Sequence, residues 1–177
     1  MYEQHGGEAY AGEKVTQLEH MVQTAELAKK QGFDEEVILA AFLHDIGHIC
    51  VPVHSENEME GFGIQDHEEV GADFLAQKGF SKKVIQLVQS HVDAKRYLTY
   101  RNPHYYEQLS EASKKTLEYQ GGKMSAEEAA IFEQDPLFAL FIQMRKWDEQ
   151  AKIEGLPSLE LEYYSQLLLK NLQHLET

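Results

Sequence analysis

The sequence predicts an all-α fold, one domain of six to eight helices, and three observations support this prediction. Apolar residues recur in several segments at the three-and-four spacing of an amphipathic helix. Several of these segments follow a serine, threonine or aspartate, the residues that commonly cap a helix. No segment shows the alternation of apolar and polar residues that is typical of a half-buried strand. The chain has 177 residues, 42% of them hydrophobic, which is enough to bury the core of one globular domain.

The N-terminal part divides into an arm and a first helix. Residues 1–15 are rich in glycine and lack helical periodicity, so we expect an arm that precedes a domain formed by residues 16–177. The first helix begins at Thr16, because Thr16 and Glu19 form a capping box. It ends near Gly32, since glycine readily adopts the left-handed backbone found just beyond a helix.

The second predicted helix begins near Asp34 and carries the most informative stretch of the chain. Six apolar residues, 38–43, lead directly into His44 and Asp45, and His48 follows one helical turn later. An apolar run of this kind is typical of a core helix. A buried imidazole and a buried carboxylate need a partner such as a cation, because an unpaired buried charge is costly. A polar helix end at the surface would explain the same residues without a cation.

Two further helices each place a histidine near the predicted core. Asp66 is expected to cap a helix that has His67 in its first turn and ends at Gly79. Ser81 is expected to cap the next one, and His91 stands on its apolar face, where the spacing predicts an apolar residue. The residues that share this face are Val84, Leu87, Val88, His91 and Lys95.

The second half of the chain is predicted to contain a connection and further helices. Residues 99–109 are rich in tyrosine and are expected to connect two helices. Asp135 and Pro136 predict a helix start, because aspartate caps a helix and proline suits its first position. Asp148 lies on the apolar stripe of that helix. The expected helix starts in this half are Ser110, Ser125, Asp135 and Leu159.

Charge and composition argue against several classes of function. A net charge of −14 disfavours nucleic acid as a partner, because phosphates attract clustered lysine and arginine. Cys50 is the single cysteine, so neither an internal disulfide nor a cysteine zinc cluster is expected. No apolar run approaches the roughly 20 residues that span a bilayer, and the N-terminus lacks a signal-peptide pattern. We therefore expect a cytoplasmic protein whose partner is a small molecule and not a membrane.

Four histidines and two aspartates are candidate metal ligands. Taken singly, each has an ordinary explanation, such as a satisfied core histidine or an ion pair within one helix. Together they form a ligand set without thiolate, which suits iron, manganese or another divalent ion. Six ligands exceed the need of one metal with an open position, so they fit two metals bridged by Asp45. The set is His20, His44, Asp45, His67, His91 and Asp148.

The order of these ligands resembles the HD-domain superfamily of metal-dependent enzymes, an all-α fold, and His67 with His91 resemble its two-metal branch. Across roughly residues 10–150 the chain further resembles the PhnZ-type 2-amino-1-hydroxyethylphosphonate dioxygenases. Glu19 departs from the glutamine expected before the first ligand histidine. The segments that carry this closer resemblance are Tyr10-Ala11-Gly12-Glu13, Gln17-Leu18-Glu19-His20, His44-Asp45-Ile46-Gly47-His48, His91 with Lys95, Ser113, and Arg145-Lys146-Trp147-Asp148.

This resemblance implies a mixed-valent Fe(II)/Fe(III) di-iron oxygenase that uses O₂ to cleave the carbon–phosphorus bond of a small 1-hydroxyphosphonate. The products would be phosphate and a carboxylic acid, glycine if the substrate carries a 2-amino group. One iron would be held by His20, His44 and Asp148, the other by His67 and His91, with Asp45 as the bridge. The phosphonate-binding set would be His48, Lys95, Ser113, Thr116 and Arg145, of which the lysine, the arginine and His48 offer charge-assisted hydrogen bonds.

The resemblance also assigns roles to the arm. Tyr10 would occupy the open metal position until the substrate displaces it, and Glu13 would recognise the substrate amine. We expect the glycine-flanked arm to act as a substrate-responsive lid, against the alternative of an exposed tail. A quaternary ammonium substrate would instead favour aromatic contacts, which the tyrosines at positions 97, 100, 105 and 106 leave open.

Two other functions remain open from the sequence. An HD-type phosphohydrolase acting on a phosphoester or nucleotide would use its metals to lower the pKa of bound water. Tyr10 and Glu13 favour the oxygenase, because a hydrolase has no need of a displaceable tyrosine on its metal. A catalytically silent metal-binding or signalling domain is the third reading, and the complete ligand set argues against it.

Overall fold

The fold is all-α, as predicted, in a computed structural model that describes residues 7, 10, 13–50, 58–155 and 161–173. Within these ranges there are eleven helices and no strand, and Glu58 and Ile64 form an isolated antiparallel bridge. The helices are α1 Gln17–Lys30, α2 Glu35–Leu43, α3 Gly47–Cys50, α4 His67–Gln77, α5 Lys82–Gln89, α6 His91–Arg101, α7 Pro103–Gln108, α8 Glu111–Tyr119, α9 Ala126–Phe132, α10 Phe138–Gln150 and α11 Leu161–Gln173. Most of the arm, residues 51–57 and the expected helix start at Leu159 lie outside the described residues.

Most of the predicted caps are present. The Thr16 side chain accepts a hydrogen bond from the Glu19 amide, and the Glu19 carboxylate accepts one from the Thr16 amide. Ser125 and Glu128 form the same reciprocal arrangement at α9. The side chains that also cap their helices are Asp34, Ser81 and Ser110. Each satisfies an amide of the first turn that has no partner within the helix.

Two predicted caps differ from expectation. Asp66 has a left-handed backbone, with φ of 56°, and its side chain accepts no capping hydrogen bond, although α4 does begin at His67. Asp135 accepts a hydrogen bond from the Leu137 amide, and α10 begins at Phe138. A tight turn after Asp135 thus takes up the residues that were predicted to open the helix.

The helix count exceeds the predicted six to eight because predicted helices are interrupted. α2 ends at Leu43, and a turn at residues 44–46 separates it from α3. Ser90 separates α5 from α6 in the same way. Residues 99–109 are not an open connection, because α6 extends to Arg101 and α7 follows, with Asn102 capping it.

The core is built around α2, whose residues Val37 to Leu43 are all buried. α1 and α5 pack along it, and α10 and α11 cover it further. Aromatic contacts fix these outer helices: Phe42 stacks on Tyr164 with ring centroids 4.7 Å apart, and Trp147 meets Phe33 edge-on at 4.9 Å. The C-terminal end of α2 lies in the interior of the domain, next to the predicted ligands His44 and Asp45.

One glycine brings two ligands together. A Cβ atom at Gly47 would lie 1.9 Å from the carbonyl oxygen of His67, so no other residue fits there without a shift of the backbone. α3 can consequently lie against the start of α4, which places Asp45 beside His67. Among the helices that the structure describes, none is both long and apolar enough to cross a membrane.

Candidate metal centre and adjoining cavity

The six predicted ligands converge on one buried point, although they come from distant parts of the chain. His20 lies on α1, and His44 with Asp45 follows the end of α2. His67 and His91 are the first residues of α4 and α6. Asp148 lies on α10, and none of the six residues is more than 5% exposed.

Asp45 stands between two pairs of histidines. Its Oδ2 lies 3.4 Å from Nε2 of His20 and 3.3 Å from Nε2 of His44. Its Oδ1 lies 3.4 Å from Nε2 of both His67 and His91. The two three-residue groups that can hold a metal ion thus share this one aspartate. Ligand atoms about 3 Å apart suit a metal about 2.1 Å from each of them.

The first group has a second carboxylate. Nε2 of His20 lies 3.2 Å from Oδ1 of Asp148, so this aspartate adjoins the pair formed by His20 and His44. The Nε2 atoms of that pair are 3.1 Å apart, and those of His67 and His91 are 2.9 Å apart. Asp148 and Asp45 are the carboxylates beside the first pair, whereas the second pair faces Asp45 alone among the predicted ligands.

All four histidines are oriented in the same way. The Nδ1 atom of each faces a backbone carbonyl, to which a protonated Nδ1 donates. This contact leaves the lone pair of Nε2 free to bind a metal, the usual arrangement of ligand histidines. The four contacts are His20 with Ala151 at 2.9 Å, His44 with Ala41 at 2.9 Å, His67 with Ile64 at 3.2 Å and His91 with Val88 at 2.6 Å.

The electrostatics of this cluster favour a bound cation. Oδ2 of Asp45 and Oδ1 of Asp148 are buried, and their recorded partners among the described residues are histidine Nε2 atoms 3.2–3.4 Å away. Although burial raises the pKa of Asp45, the charge of His44 and the hydrogen bond with His20 hold it well below its usual value. Burial lowers the pKa of His20, but hydrogen bonds with Asp148 and Asp45 raise it to about 9. Buried carboxylates that stay ionised require positive partners, and the residues present fit divalent metal ions.

A cavity opens beside the cluster, and all the predicted substrate-side residues line it. It reaches Asp45, His67, His91 and Asp148, so a small molecule in it touches both metal groups. The predicted residues on its wall are Tyr10, Glu13, His48, Lys95, Ser113, Thr116 and Arg145. The tyrosines at positions 97, 100, 105 and 106 are not among the described residues that line it, so they give no support to aromatic recognition of a quaternary ammonium group.

Lys95 is a buried cation at the cavity wall. It is 3% exposed, and its Nζ donates to Oγ1 of Thr116 at 3.0 Å. The Thr116 hydroxyl in turn donates to the Ser113 carbonyl at 3.3 Å. Burial and the positive charge of Arg145 lower the pKa of Lys95 to about 7. Its charge is therefore sensitive to pH in the neutral range.

His48 is a neutral donor and not the charge-assisted one that was expected. Its ring stacks on His67 with centroids 4.0 Å apart, and its Nδ1 accepts a hydrogen bond from the Ile64 amide at 3.0 Å. Burial and the neighbouring charge of His67 hold its pKa well below the usual value. The proton consequently resides on Nε2. Gly63 packs against this ring so closely that a Cβ there would lie 2.6 Å from it.

Two residues of the arm fold back on the centre. The Glu13 amide donates to the Tyr10 carbonyl at 2.8 Å, and the Tyr10 amide donates to Val15 at 2.9 Å. The Tyr10 ring stacks on His20 with centroids 4.1 Å apart. Burial and the charges of Asp45 and Asp148 raise the pKa of Tyr10, so its hydroxyl stays protonated in this environment.

Glu13 already has partners within the chain. Its Oε1 accepts hydrogen bonds from Nζ of Lys152 and from Oγ of Ser110, each at 2.7 Å. Neither partner was predicted from the sequence. Lys152 lies two positions beyond the end of α10, and its spacing of seven positions from Arg145 and four from Asp148 is the sequence signal for the same side of the chain. The amine-binding role of Glu13 therefore stays a prediction, and the Lys152 ammonium would compete with a substrate amine for the Glu13 carboxylate.

Comparisons with known proteins agree with the resemblance noted in the sequence. The HD domain family matches residues 18–135. The chain is 45% identical to the uncharacterized protein L432 of Acanthamoeba polyphaga mimivirus, over 97% of this chain and 78% of that protein. It is 42% identical to hydroxymethylphosphonate dioxygenase of Gimesia maris, over 97% of this chain and 85% of that protein. It is also 43% identical to the glycine-betaine-forming [1-hydroxy-2-(trimethylamino)ethyl]phosphonate dioxygenase of Leisingera caerulea, over 86% of this chain and 76% of that protein.

Proposed function

The chain belongs to the HD-domain family, and we propose that within it this protein is a di-iron oxygenase that cleaves the carbon–phosphorus bond of a small 1-hydroxyphosphonate. The names of two relatives, both phosphonate dioxygenases, support this reaction class. Phosphate and a carboxylic acid would be the products, each containing one atom from O₂. The atoms and electrons of this reaction balance with one O₂ per substrate molecule.

One observation carries the proposal: two histidine pairs share Asp45 and adjoin a cavity with buried cations. His20, His44 and Asp148 would hold one iron, and His67 with His91 the other. When bound, the irons would relay electrons from the substrate to O₂ and supply Lewis acidity. The buried, ionised carboxylates of Asp45 and Asp148, which lie among the histidine Nε2 atoms, support occupancy of both positions.

The residues on the cavity wall would bind and orient the phosphonate. Lys95 and Arg145 can donate charge-assisted hydrogen bonds to its oxygens, which are stronger than neutral ones. His48 would add a neutral hydrogen bond from Nε2, because its Nδ1 is engaged by the Ile64 amide. Ser113 and Thr116 offer hydroxyl groups on the same wall.

The arm would close this cavity until the substrate arrives. Tyr10 covers the ring of His20, so a substrate that reaches the first metal position has to displace it. Excluding solvent from the centre in this way would limit unproductive reactions with O₂. This lid remains a proposal, since it concerns a movement of the arm.

Which substituent the enzyme accepts on the second carbon of the substrate would depend on Glu13. A 2-amino-1-hydroxyethylphosphonate, with glycine as the product, requires the substrate ammonium to exchange with Lys152 at the Glu13 carboxylate. A substrate without an amine would leave that ion pair intact. The relatives themselves differ at this point, because one is named for hydroxymethylphosphonate and another for a trimethylamino compound.

The test is phosphate release by anaerobically purified, iron-loaded protein, with and without O₂. Hydroxymethylphosphonate, 2-amino-1-hydroxyethylphosphonate and its trimethylated form are compared with a phosphoester. We expect O₂-dependent phosphate release from at least one phosphonate, and electron paramagnetic resonance during air titration to detect a mixed-valent centre. Full-rate release without O₂, or turnover of the phosphoester alone, would instead identify a metal-dependent phosphohydrolase.

A further inference from the structure

Arg145 is held by residues that were not predicted to belong to the site. Its Nε donates to the Tyr105 hydroxyl at 3.0 Å and to Oε1 of Glu149 at 2.9 Å. The Tyr105 hydroxyl also contacts Oε1 of Glu149, and Nη1 of Arg145 contacts Oδ2 of Asp148. Two of the three nitrogens of the guanidinium are thereby engaged.

The third nitrogen of this guanidinium has no partner. Nη2 of Arg145 is buried without a hydrogen bond among the described residues, and Arg145 lines the cavity. A guanidinium is planar, so fixing Nε and Nη1 also fixes the direction in which Nη2 donates. A buried donor without an acceptor is unfavourable, and an oxygen of an anion in the cavity would satisfy it.

We propose that Tyr105 and Glu149 are positioning residues, which orient Arg145 so that Nη2 donates to the anionic substrate. The identity of that anion as a phosphonate rests on the proposed function, but the orientation does not. Asp148 cannot fix the guanidinium by itself, because one contact at Nη1 leaves the group free to rotate about it.

The two positioning residues contribute differently. Glu149 lies on the same helix as Arg145, four positions later, and its side chain is 29% exposed. Tyr105 comes from α7 and is 8% exposed, so it supplies a fixed point from outside α10. Burial raises the pKa of Tyr105, and the protonated hydroxyl can accept from Nε while it donates to Glu149. A phenylalanine at this position would keep the ring and lose both hydrogen bonds.

The experiment measures steady-state kinetics and phosphate binding of iron-loaded Tyr105→Phe and Glu149→Gln, with Tyr106→Phe as the matched control. Tyr106 is the next residue on α7, and it is 40% exposed. We expect Tyr105→Phe, which loses its hydrogen bonds, and Glu149→Gln, which replaces the charged acceptor of Nε by a neutral one, to raise KM and the Kd of inorganic phosphate about tenfold, the usual scale for a hydrogen bond to a charged group. The value of kcat should stay within about twofold of wild type, and the iron content should be unchanged. The control should behave as wild type.

A double-mutant cycle distinguishes positioning from general destabilisation. In an Arg145→Met background, Tyr105→Phe should have no further effect on phosphate binding, because Tyr105 acts through Arg145. An equal loss of affinity in both backgrounds would overturn the inference, as would a loss no greater than that of Tyr106→Phe. The proposed function fails separately, through the absence of O₂-dependent turnover, because phosphate binding needs no reaction.

Discussion

Replacing Asp45 by alanine should remove both metals. Its Oδ2 lies 3.4 Å from His20 and 3.3 Å from His44, and its Oδ1 lies 3.4 Å from both His67 and His91. Each metal group therefore loses an anionic oxygen in this variant, and the second group loses the only carboxylate among its predicted ligands. A change in an outer partner of a metal ligand typically costs 10–100-fold in metal affinity, so the loss of a shared ligand should exceed that range.

Replacing Asp148 by alanine should affect the first group selectively. Asp148 approaches Nε2 of His20 at 3.2 Å, and the group formed by Asp45, His67 and His91 does not include it. We expect this variant to keep one iron per chain. The comparison of the two aspartates thus separates a bridging carboxylate from a terminal one.

The expected effect on stability follows from linkage. A metal present at about 100 times its Kd stabilises the folded state by about 2.7 kcal/mol, so two metals contribute about 5 kcal/mol. For a chain of 177 residues, a change of 1 kcal/mol shifts Tm by about 2–4 °C. Iron should therefore raise the Tm of the wild type by about 10–20 °C, that of Asp148→Ala by about half as much, and that of Asp45→Ala very little.

The assay is iron per chain after anaerobic reconstitution and desalting, together with thermal unfolding with and without iron. Each variant is compared with its own iron-free form, because Asp148→Ala also removes a partner of Arg145. Asp73→Ala, an exposed aspartate on α4, is the control and should retain two irons. If Asp45→Ala kept one tightly bound iron, or if the wild type were saturated by one, the shared-ligand reasoning would be refuted.

Three further predictions follow from the cavity and its charges. Glu13→Ala should lower kcat/KM for an aminated substrate by roughly 30-fold or more, the cost of losing a buried charge partner, and an amine-free analogue measured in parallel should be affected far less. Because the pKa of Lys95 is about 7, KM for the phosphonate should rise above that pH as the ammonium loses its proton, and Lys95→Met should abolish this dependence. Iron-free protein should be stabilised below pH 6.5 by protonated His20, whose folded pKa is about 9. Its free energy of unfolding should fall by about 3 kcal/mol as the pH rises from 6.5 to 9. Denaturant unfolding checks this, and a His20→Gln variant that kept the same loss would contradict it.

Part of the candidate ligand cluster could be predicted from sequence because several of its members interrupt local patterns. His91 stands on an apolar face, and His44 with Asp45 follows an apolar run, so each position is conspicuous within its own segment. The caps were predictable for the same reason, since a capping box spans only four residues. Features that depend on a few neighbouring residues are the ones that the sequence specifies directly.

The interruptions of the helices were not predictable in that way. The turn at residues 44–46 contains neither glycine nor proline, and it places His44 and Asp45 where both face the centre. Ser90 likewise separates two helices so that His91 becomes the first residue of α6. Tertiary contacts at the centre override the local preference for a continuous helix.

The residues that hold the cavity wall were missed because their contacts are distant in the chain. Tyr105 and Arg145 are separated by 40 positions, and Glu13 and Lys152 by 139. Periodicity reports which face of an element a residue occupies, but it does not report what that face meets. The tyrosine-rich composition of residues 99–109 predicts a connection, and a connection gives no position for the hydroxyl of Tyr105.

The charges of the cavity link metal binding to substrate binding. Lys152 is paired with Glu13, and Arg145 contacts two carboxylates. Among the lysines and the arginine on the wall that the structure describes, Lys95 is the one with no recorded ion pair to a carboxylate, and it donates to the Thr116 hydroxyl. In the metal-free protein the positive charge of His20 is already paired with the ionised carboxylates of Asp45 and Asp148, so an entering anion would gain little from it. Bound divalent metals would add positive charge at that surface, so we expect metal binding to strengthen the binding of an anionic substrate.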